Sequence, residues 1–178
     1  MEPITIRSAT AADALRIASI HCENWRDIYA DVLDPDYLAG PIEQERRELW
    51  LDRLTNPSPA QSVLVADMPG AGPVGFICLY RDQDPRWGSL IDNLHVAPGL
   101  RGQAIGKHLM RAGAQAMLDV EAGAGVHLWV FEANTAGLRF YERLGGSVVE
   151  RCLETELPAP PETYILRVFW SDLAALTA

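Results

Sequence analysis

The stretch Leu94-His95-Val96-Ala97-Pro98-Gly99-Leu100-Arg101-Gly102-Gln103-Ala104-Ile105-Gly106-Lys107 runs from a β pattern through a proline stop into a helical pattern. N–H groups at a helix start lack intrahelical partners, and the helix dipole favours negative charge there. Small residues at Gly102, Ala104 and Gly106 let an anion approach those amides, and Arg101 and Lys107 add positive charge. The spacing reads as a phosphate or diphosphate cradle, although a glycine-rich connection serving tight packing alone has the same composition. Two nucleotide signatures do not fit. A Walker A loop needs Gly, four residues and Gly-Lys-Ser/Thr. Here Arg101 replaces its first Gly, and His108 follows Lys107 where the hydroxyl should stand. Nor do Gly99, Gly102 and Gly106 supply GxGxxG.

Further candidates flank this turn. On a strand over 88–96, simple alternation puts Leu90, Asp92, Leu94 and Val96 on one face, with Asn93 and His95 on the other. Downstream, Leu128-Trp129-Val130 leads to Asn134, a good N-cap, with Tyr141 two helical turns behind it on the same helix face. Near the N-terminus Trp25, Tyr29 and Tyr37 could line an acceptor pocket, with Glu23, Asp27, Asp31 and Asp34 biasing it toward cations. The simpler account is that the aromatics pack the core and the acids solvate a helix face.

These residues need elements to position them. Ile4 and Ile6 alternate as a first strand, and Thr10 with Asp13 resembles a capping box for a helix over Ala11–Ala30. Leu33-Asp34-Pro35 breaks the pattern, and a second helix spans Ile42–Leu54. Strands follow over Ser62–Ala66, Val74–Tyr80 and Gly88–Val96. A helix covers Gln103–Val120, with Ile105, Leu109, Ala112 and Ala116 on one face. Then come a strand over Val126–Phe131, a helix over Asn134–Leu144 closed by Gly145-Gly146, and strands over Ser147–Leu153 and Tyr164–Phe169. Meandering strands followed by two βα units predict an α/β fold with a mixed sheet.

Composition narrows the field. The 178 residues, 48% of them apolar, predict one domain over 1–178 with a sizeable core. A net charge of −9 repels a phosphate backbone and argues against nucleic acid as partner. Cys22, Cys78 and Cys152 are dispersed without CxxC spacing, so they read as reduced core thiols, with no disulfide framework or metal site. His21 sits in an apolar helical pattern and reads as core. Met1-Glu2-Pro3-Ile4-Thr5-Ile6-Arg7 has neither the basic nor the apolar region of a leader, and no stretch is long enough to span a bilayer. The expectation is a cytoplasmic protein with no membrane partner.

With Arg101, Ala104 and Gly106 placed after Leu94-x-Val96, and with the Asn134 to Gly145 segment behind them, the chain resembles the GNAT superfamily of N-acetyltransferases. The resemblance implies a mixed, mostly antiparallel sheet of six to seven strands, splayed between the strands over 88–96 and 126–131 and flanked by about four helices. It implies acetyl-CoA as co-substrate, without a metal. Arg101, Gly102, Gln103, Ala104, Ile105, Gly106 and Lys107 would hold the diphosphate, Leu94, His95 and Val96 would pair with the pantetheine arm, and Asn134 would adjoin the cofactor. Tyr141 would protonate the departing thiolate, and an N–H near Leu94 or Val96 would face the oxyanion. The carboxylate base of some relatives aligns near Leu90, which cannot act. Asp92 is the substitute, through a water, with Glu132 and His95 as further candidates. Trp25 and Tyr29 would contact the acceptor, a primary amine of a small molecule or peptide. A homodimer is expected. The sequence departs from the usual pattern at Ala104, more often glycine, and at Gly146, where relatives usually carry an aromatic. A non-catalytic CoA-binding or regulatory domain, or transfer of another acyl group such as succinyl, would use the same scaffold.

Overall fold

A computed structural model describes residues 4–120, 122–123 and 125–177. Met1, Glu2 and Pro3, which open the stretch read above for a leader, lie outside the described residues. The strands are β1 (Thr5–Ser8), β2 (Gln61–Met68), β3 (Gly72–Asp84), β4 (Gly88–Val96), β5 (Val126–Phe131), β6 (Ser147–Leu153) and β7 (Tyr164–Trp170). The α-helices are α1 (Ala14–Ile28), α2 (Pro35–Ala39), α3 (Pro41–Thr55), α4 (Ile105–Asp119), α5 (Thr135–Arg143) and α6 (Leu173–Thr177). The described residues hold six α-helices: the four read from the sequence and two short ones, α2 and α6. The short α2 lies where a break was read: Asp34 accepts the N–H groups of Asp36 and Tyr37 at 2.8 and 3.3 Å, and Pro35 takes the first helical position.

All seven strands join one sheet in the order β1-β2-β3-β4-β5-β7-β6. Every pairing is antiparallel except β4 with β5. That parallel ladder is confined to Ser89 opposite Val126 and Leu90 opposite His127, so from Ile91 onward the two strands diverge. The splay expected between these strands is present. It leaves the β5-facing edge of Ile91 to Val96 without a neighbouring strand, a platform for an extended ligand.

Three clusters hold the layers. Ile77, Leu79 and Ile91 pack with Ile105, Leu109 and Met117 of α4 on one face, joined by Leu173 and Leu176 of α6. The buried stripe of α4 is Ile105, Leu109, Met110, Gly113, Ala114 and Met117. It is rotated from the expected one, leaving Ala112 and Ala116 half-buried. On the other face Ile17, Ile20, Trp50 and Phe76 bring α1 and α3 against β2 and β3. Cys22, Tyr29, Leu33, Tyr37 and Ile42 close the third cluster over Phe131. Cys22 and Cys78 are buried as expected, but Cys152 is a half-exposed thiol on the edge strand β6, not a core one.

Candidate active site

One extra residue in β4 sets the orientation of the site. Cys78 pairs with Asn93 and Leu79 with Ile91, so Asp92 is bulged out of the ladder. The bulge breaks the simple alternation predicted for this strand. Ile91, not Leu90, joins Leu94 and Val96 on the α4 face, while Leu90 pairs with Tyr80 on the opposite side. Asn93 and His95 lie on the α1 and α3 face as expected. Asp92 accepts a 2.6 Å bond from Arg53 Nη1, which also reaches Asn93 Oδ1 at 3.1 Å.

The turn ahead of α4 owes its shape to two left-handed residues, Gly102 at φ +80° and Ala104 at φ +62°. They delay the helix from the expected Gln103 to Ile105. The first bond of α4 runs from His108 N–H to Ala104 O at 3.0 Å, so the N–H groups of Ile105, Gly106 and Lys107 precede the ladder. A Cβ on Gly102 would meet nothing within 4 Å, so open space adjoins the turn. Amides, space and helix dipole together fit a diphosphate.

Arg101 does not stand free at this turn. Its Nη1 lies 2.5 Å from Asp27 Oδ2 and its Nη2 2.7 Å from Asn24 Oδ1. Asn24, buried in α1, also donates from Nδ2 to Ile20 O at 2.8 Å and to Val96 O at 3.1 Å. It therefore links α1, the end of β4 and the phosphate-type turn, a position that no motif marks.

A cavity of about 830 Å³ opens over the turn. Its lining includes Leu94, His95, Val96, Arg101, Gly102, Ala104, Ile105, Gly106, Lys107 and Asn134, with Tyr141 and Arg143. Of the residues proposed for the cofactor, Gln103 alone is absent from this lining. A second cavity of about 180 Å³ lies in the splay, walled by Trp25, Tyr29, Asp92, Trp129, Phe131 and Glu154, among others. The two share Ile28, Leu94, His95, Asn134 and Tyr141. Trp25 and Tyr29 thus border the smaller cavity, and Tyr141 stands at the junction.

The other candidates for the smaller cavity lie outside its lining, and Tyr37 packs the core as the simpler account has it. Tyr37 is buried in the third cluster, and its hydroxyl donates to Glu45 at 2.8 Å. Glu23 takes the Ser19 hydroxyl, Asp27 takes Arg101 and Asp34 caps α2, so none of these acids lines it. Asp31 is not in the lining either. Glu132 accepts from Arg151 Nε and Nη2 at 2.8 and 2.9 Å and borders neither cavity. The acids that do line it are Asp92 and Glu154, and Glu154 sits in a loop whose sequence carries no signal.

Burial governs protonation here. It pushes the Tyr141 hydroxyl well above the usual phenol range, with the nearby Tyr29 adding to the effect, so Tyr141 keeps its proton. Burial also raises Tyr29, partly offset by a hydrogen bond from Asn134. Asn134 meanwhile accepts Gly137 N–H at 2.9 Å as the cap of α5. His95 is pushed down to about 3 by burial and by the charges of Arg101 and Arg46, so it is a neutral imidazole. Burial lifts the Cys78 thiol to about 12 and raises that of Cys22, which leaves neither as a thiolate nucleophile. The missing aromatic at Gly146 has a local explanation. A Cβ there would lie 2.6 Å from Trp170 and Val168 side-chain atoms, so Trp170 fills the space.

A family model described as the acetyltransferase (GNAT) family matches residues 22–146. Over 176 residues, 97% of this chain and 96% of the relative, the sequence is 24% identical to the uncharacterized N-acetyltransferase YuaI of Bacillus subtilis (strain 168). The fold is similar to that of the PaiA N-acetyltransferase of Thermoplasma acidophilum in complex with coenzyme A. That match has a TM-score of 0.74 at 20% identity, covering 93% of this chain and 98% of that one. It is also similar to YncA, a putative acetyltransferase of Salmonella typhimurium with acetyl-CoA, at TM-score 0.67 and 18% identity over 96% and 94% of the two chains.

Proposed function

The chain belongs to the acetyltransferase (GNAT) family and is an N-acetyltransferase, and from that premise we propose that it moves the acetyl group of acetyl-CoA to a primary amine of a small molecule or peptide by direct attack in a ternary complex. The observation that carries this reading is the meeting of the two cavities at Leu94, His95, Asn134 and Tyr141. A thioester carrier in the larger one and an amine in the smaller one would have their reacting ends side by side, the geometry that a one-step transfer requires.

The chain's own groups divide the work. The N–H groups of Ile105, Gly106 and Lys107 receive the diphosphate, with Lys107 and Arg143 adding charge. The unpaired edge of β4 binds the pantetheine arm as a strand would. An N–H of Leu94 or Val96 on that edge stabilises the developing oxyanion. Tyr141, held protonated by burial, gives its proton to the departing thiolate. An alkylamine has a pKa near ~10.4, so roughly one molecule in a few thousand is neutral at pH 7. Asp92, on the wall of the smaller cavity, draws off the surplus proton through a water. The neutral His95 offers the lone pair of one ring nitrogen along the same wall.

Release of free CoA thiol from acetyl-CoA, followed against amines, polyamines, aminoglycosides and peptide N-termini, tests this reading. Acceptor-dependent release abolished by Tyr141→Phe is expected. Tight CoA binding with no release for any acceptor would instead mark a non-catalytic CoA-binding domain.

A further inference from the structure

The wall of the smaller cavity is one-sided in charge. Its acidic side chains among the described residues are Asp92 and Glu154, no lysine or arginine joins them, and the rest of the wall combines apolar and aromatic side chains with Asn93, His95 and Asn134. Two arginines stand behind the lining; Arg53 is engaged by one of its acids, and the buried Nε of Arg46 has no hydrogen-bond partner among the described residues. Arg53 bonds Asp92 at 2.6 Å, and Arg46 lies 5.0 Å from the Trp25 ring centroid and 3.5 Å from Glu45. Half-buried Glu154 is different. Its Oε1 accepts the N–H groups of Glu156 and Leu157 at 2.6 and 3.0 Å, which fixes the carboxylate. Among the described residues no hydrogen bond takes its Oε2. The site therefore holds an anchored carboxylate with an open oxygen beside a box of rings. Tyr29 and Phe131 lie 4.8 Å apart, and Trp25 and Tyr29 5.7 Å.

Such a wall attracts a cation through both the carboxylate and the ring faces, and it repels a second carboxylate. A volume of about 180 Å³ is of the order of the roughly 150 Å³ apolar cavity that takes up benzene, enough for a compact body. Resting on the acyl-transfer reading above, we infer that the acceptor is a compact alkyl or arylalkyl amine that carries no carboxylate, with Glu154 as its specificity determinant. A free amino acid would bring its α-carboxylate against Asp92 and Glu154 with no cation in the lining to meet it. Transfer of a succinyl group would set its terminal carboxylate in the same field.

Matched pairs that differ only in the carboxylate test this directly: phenethylamine against phenylalanine, and isoamylamine against leucine. Thiol release from acetyl-CoA should show kcat/KM at least 100-fold higher for each amine. Glu154→Gln keeps the carbonyl oxygen that holds the turn, and should lower kcat/KM for the amines about tenfold while leaving the KM for acetyl-CoA unchanged. Glu154→Lys should narrow the gap between amine and amino acid. Amino acids equal to or better than their amines, or a Glu154→Gln enzyme indistinguishable from the parent, would overturn the inference and leave acyl transfer standing. No release with any acceptor in either panel would remove the acyl-transfer reading and this inference with it.

Discussion

Arg53 Nη1 lies 2.6 Å from Asp92 Oδ2 and 3.1 Å from Asn93 Oδ1, so one guanidinium on α3 fixes two consecutive side chains at the β4 bulge. The pair is partly buried, with side-chain exposures of 18% for Arg53 and 30% for Asp92. The carboxylate is thereby fixed on the cavity wall instead of sweeping through solvent. Asp92→Asn keeps an oxygen for Arg53 while removing the charge that draws off the amine's proton. Its kcat should fall by about 10²-fold with the KM for acetyl-CoA unchanged. An unaltered pH–rate profile would remove Asp92 from the proton path.

Tyr141 packs through its ring, edge-on to Trp170 at 5.9 Å and 85° and 5.3 Å from Phe140. Those contacts survive Tyr141→Phe. The variant should hold its melting temperature and its CoA affinity while kcat drops by about 10²- to 10³-fold. Calorimetric CoA binding run beside the turnover assay separates lost chemistry from a lost fold.

Asn24 offers a different kind of test, because its amide serves both Val96 O and Arg101. Asn24→Ala leaves a part-buried carbonyl and a guanidinium nitrogen without these partners, at a cost of about 1–2 kcal/mol. Its kinetic mark should be a raised KM for acetyl-CoA with a smaller change in kcat. A stability loss alone, with both constants intact, would make Asn24 purely structural.

What the sequence made legible was set by local rules. Alternating apolar residues bounded by Pro and Gly located β4 and β5. The small residues after Pro98 located the turn because its requirement, access to backbone amides, is written in residue size. The Asp92 bulge escaped because strict alternation is equally consistent with a regular strand, and it is the pairing with β3 that decides otherwise. The partner of Asp27 escaped for a related reason. A charged helix face looks the same whether its acids are solvated or, like Asp27, paired with an arginine distant in sequence. Glu154 and Asn24 carry no motif at all, since one is a loop acid among several and the other a polar residue inside a helical pattern.

Ala104 holds φ +62°, in the left-handed region that costs an ordinary residue roughly 1–2 kcal/mol. Ala104→Gly relieves that strain but gives back roughly 0.4–1 kcal/mol through the freer unfolded chain. The expected net gain is about 0.5–1 kcal/mol, or a rise of a few degrees in melting temperature for a chain of this size. A fall in melting temperature would show that the alanine methyl contributes more by packing than its backbone costs.

His21 is fully buried in α1, and its Nδ1 accepts the Trp50 indole N–H at 3.0 Å. Burial, reinforced by His95, Arg46 and Arg53, holds its pKa well below 6.5. The unfolded chain takes up a proton at this position below about pH 6.5 while the folded chain does not, so stability falls as pH drops through that range. Asp13 does not contribute to the same window. Its hydrogen bonds from Arg7 lower it to about 2, so the stability it adds is lost only below about pH 4. His21→Gln retains an acceptor for Trp50 but cannot titrate, and its denaturation midpoint should fall less steeply with acid than that of the parent. Parallel slopes across pH 7 to pH 5 would mean that some other group drives the acid loss.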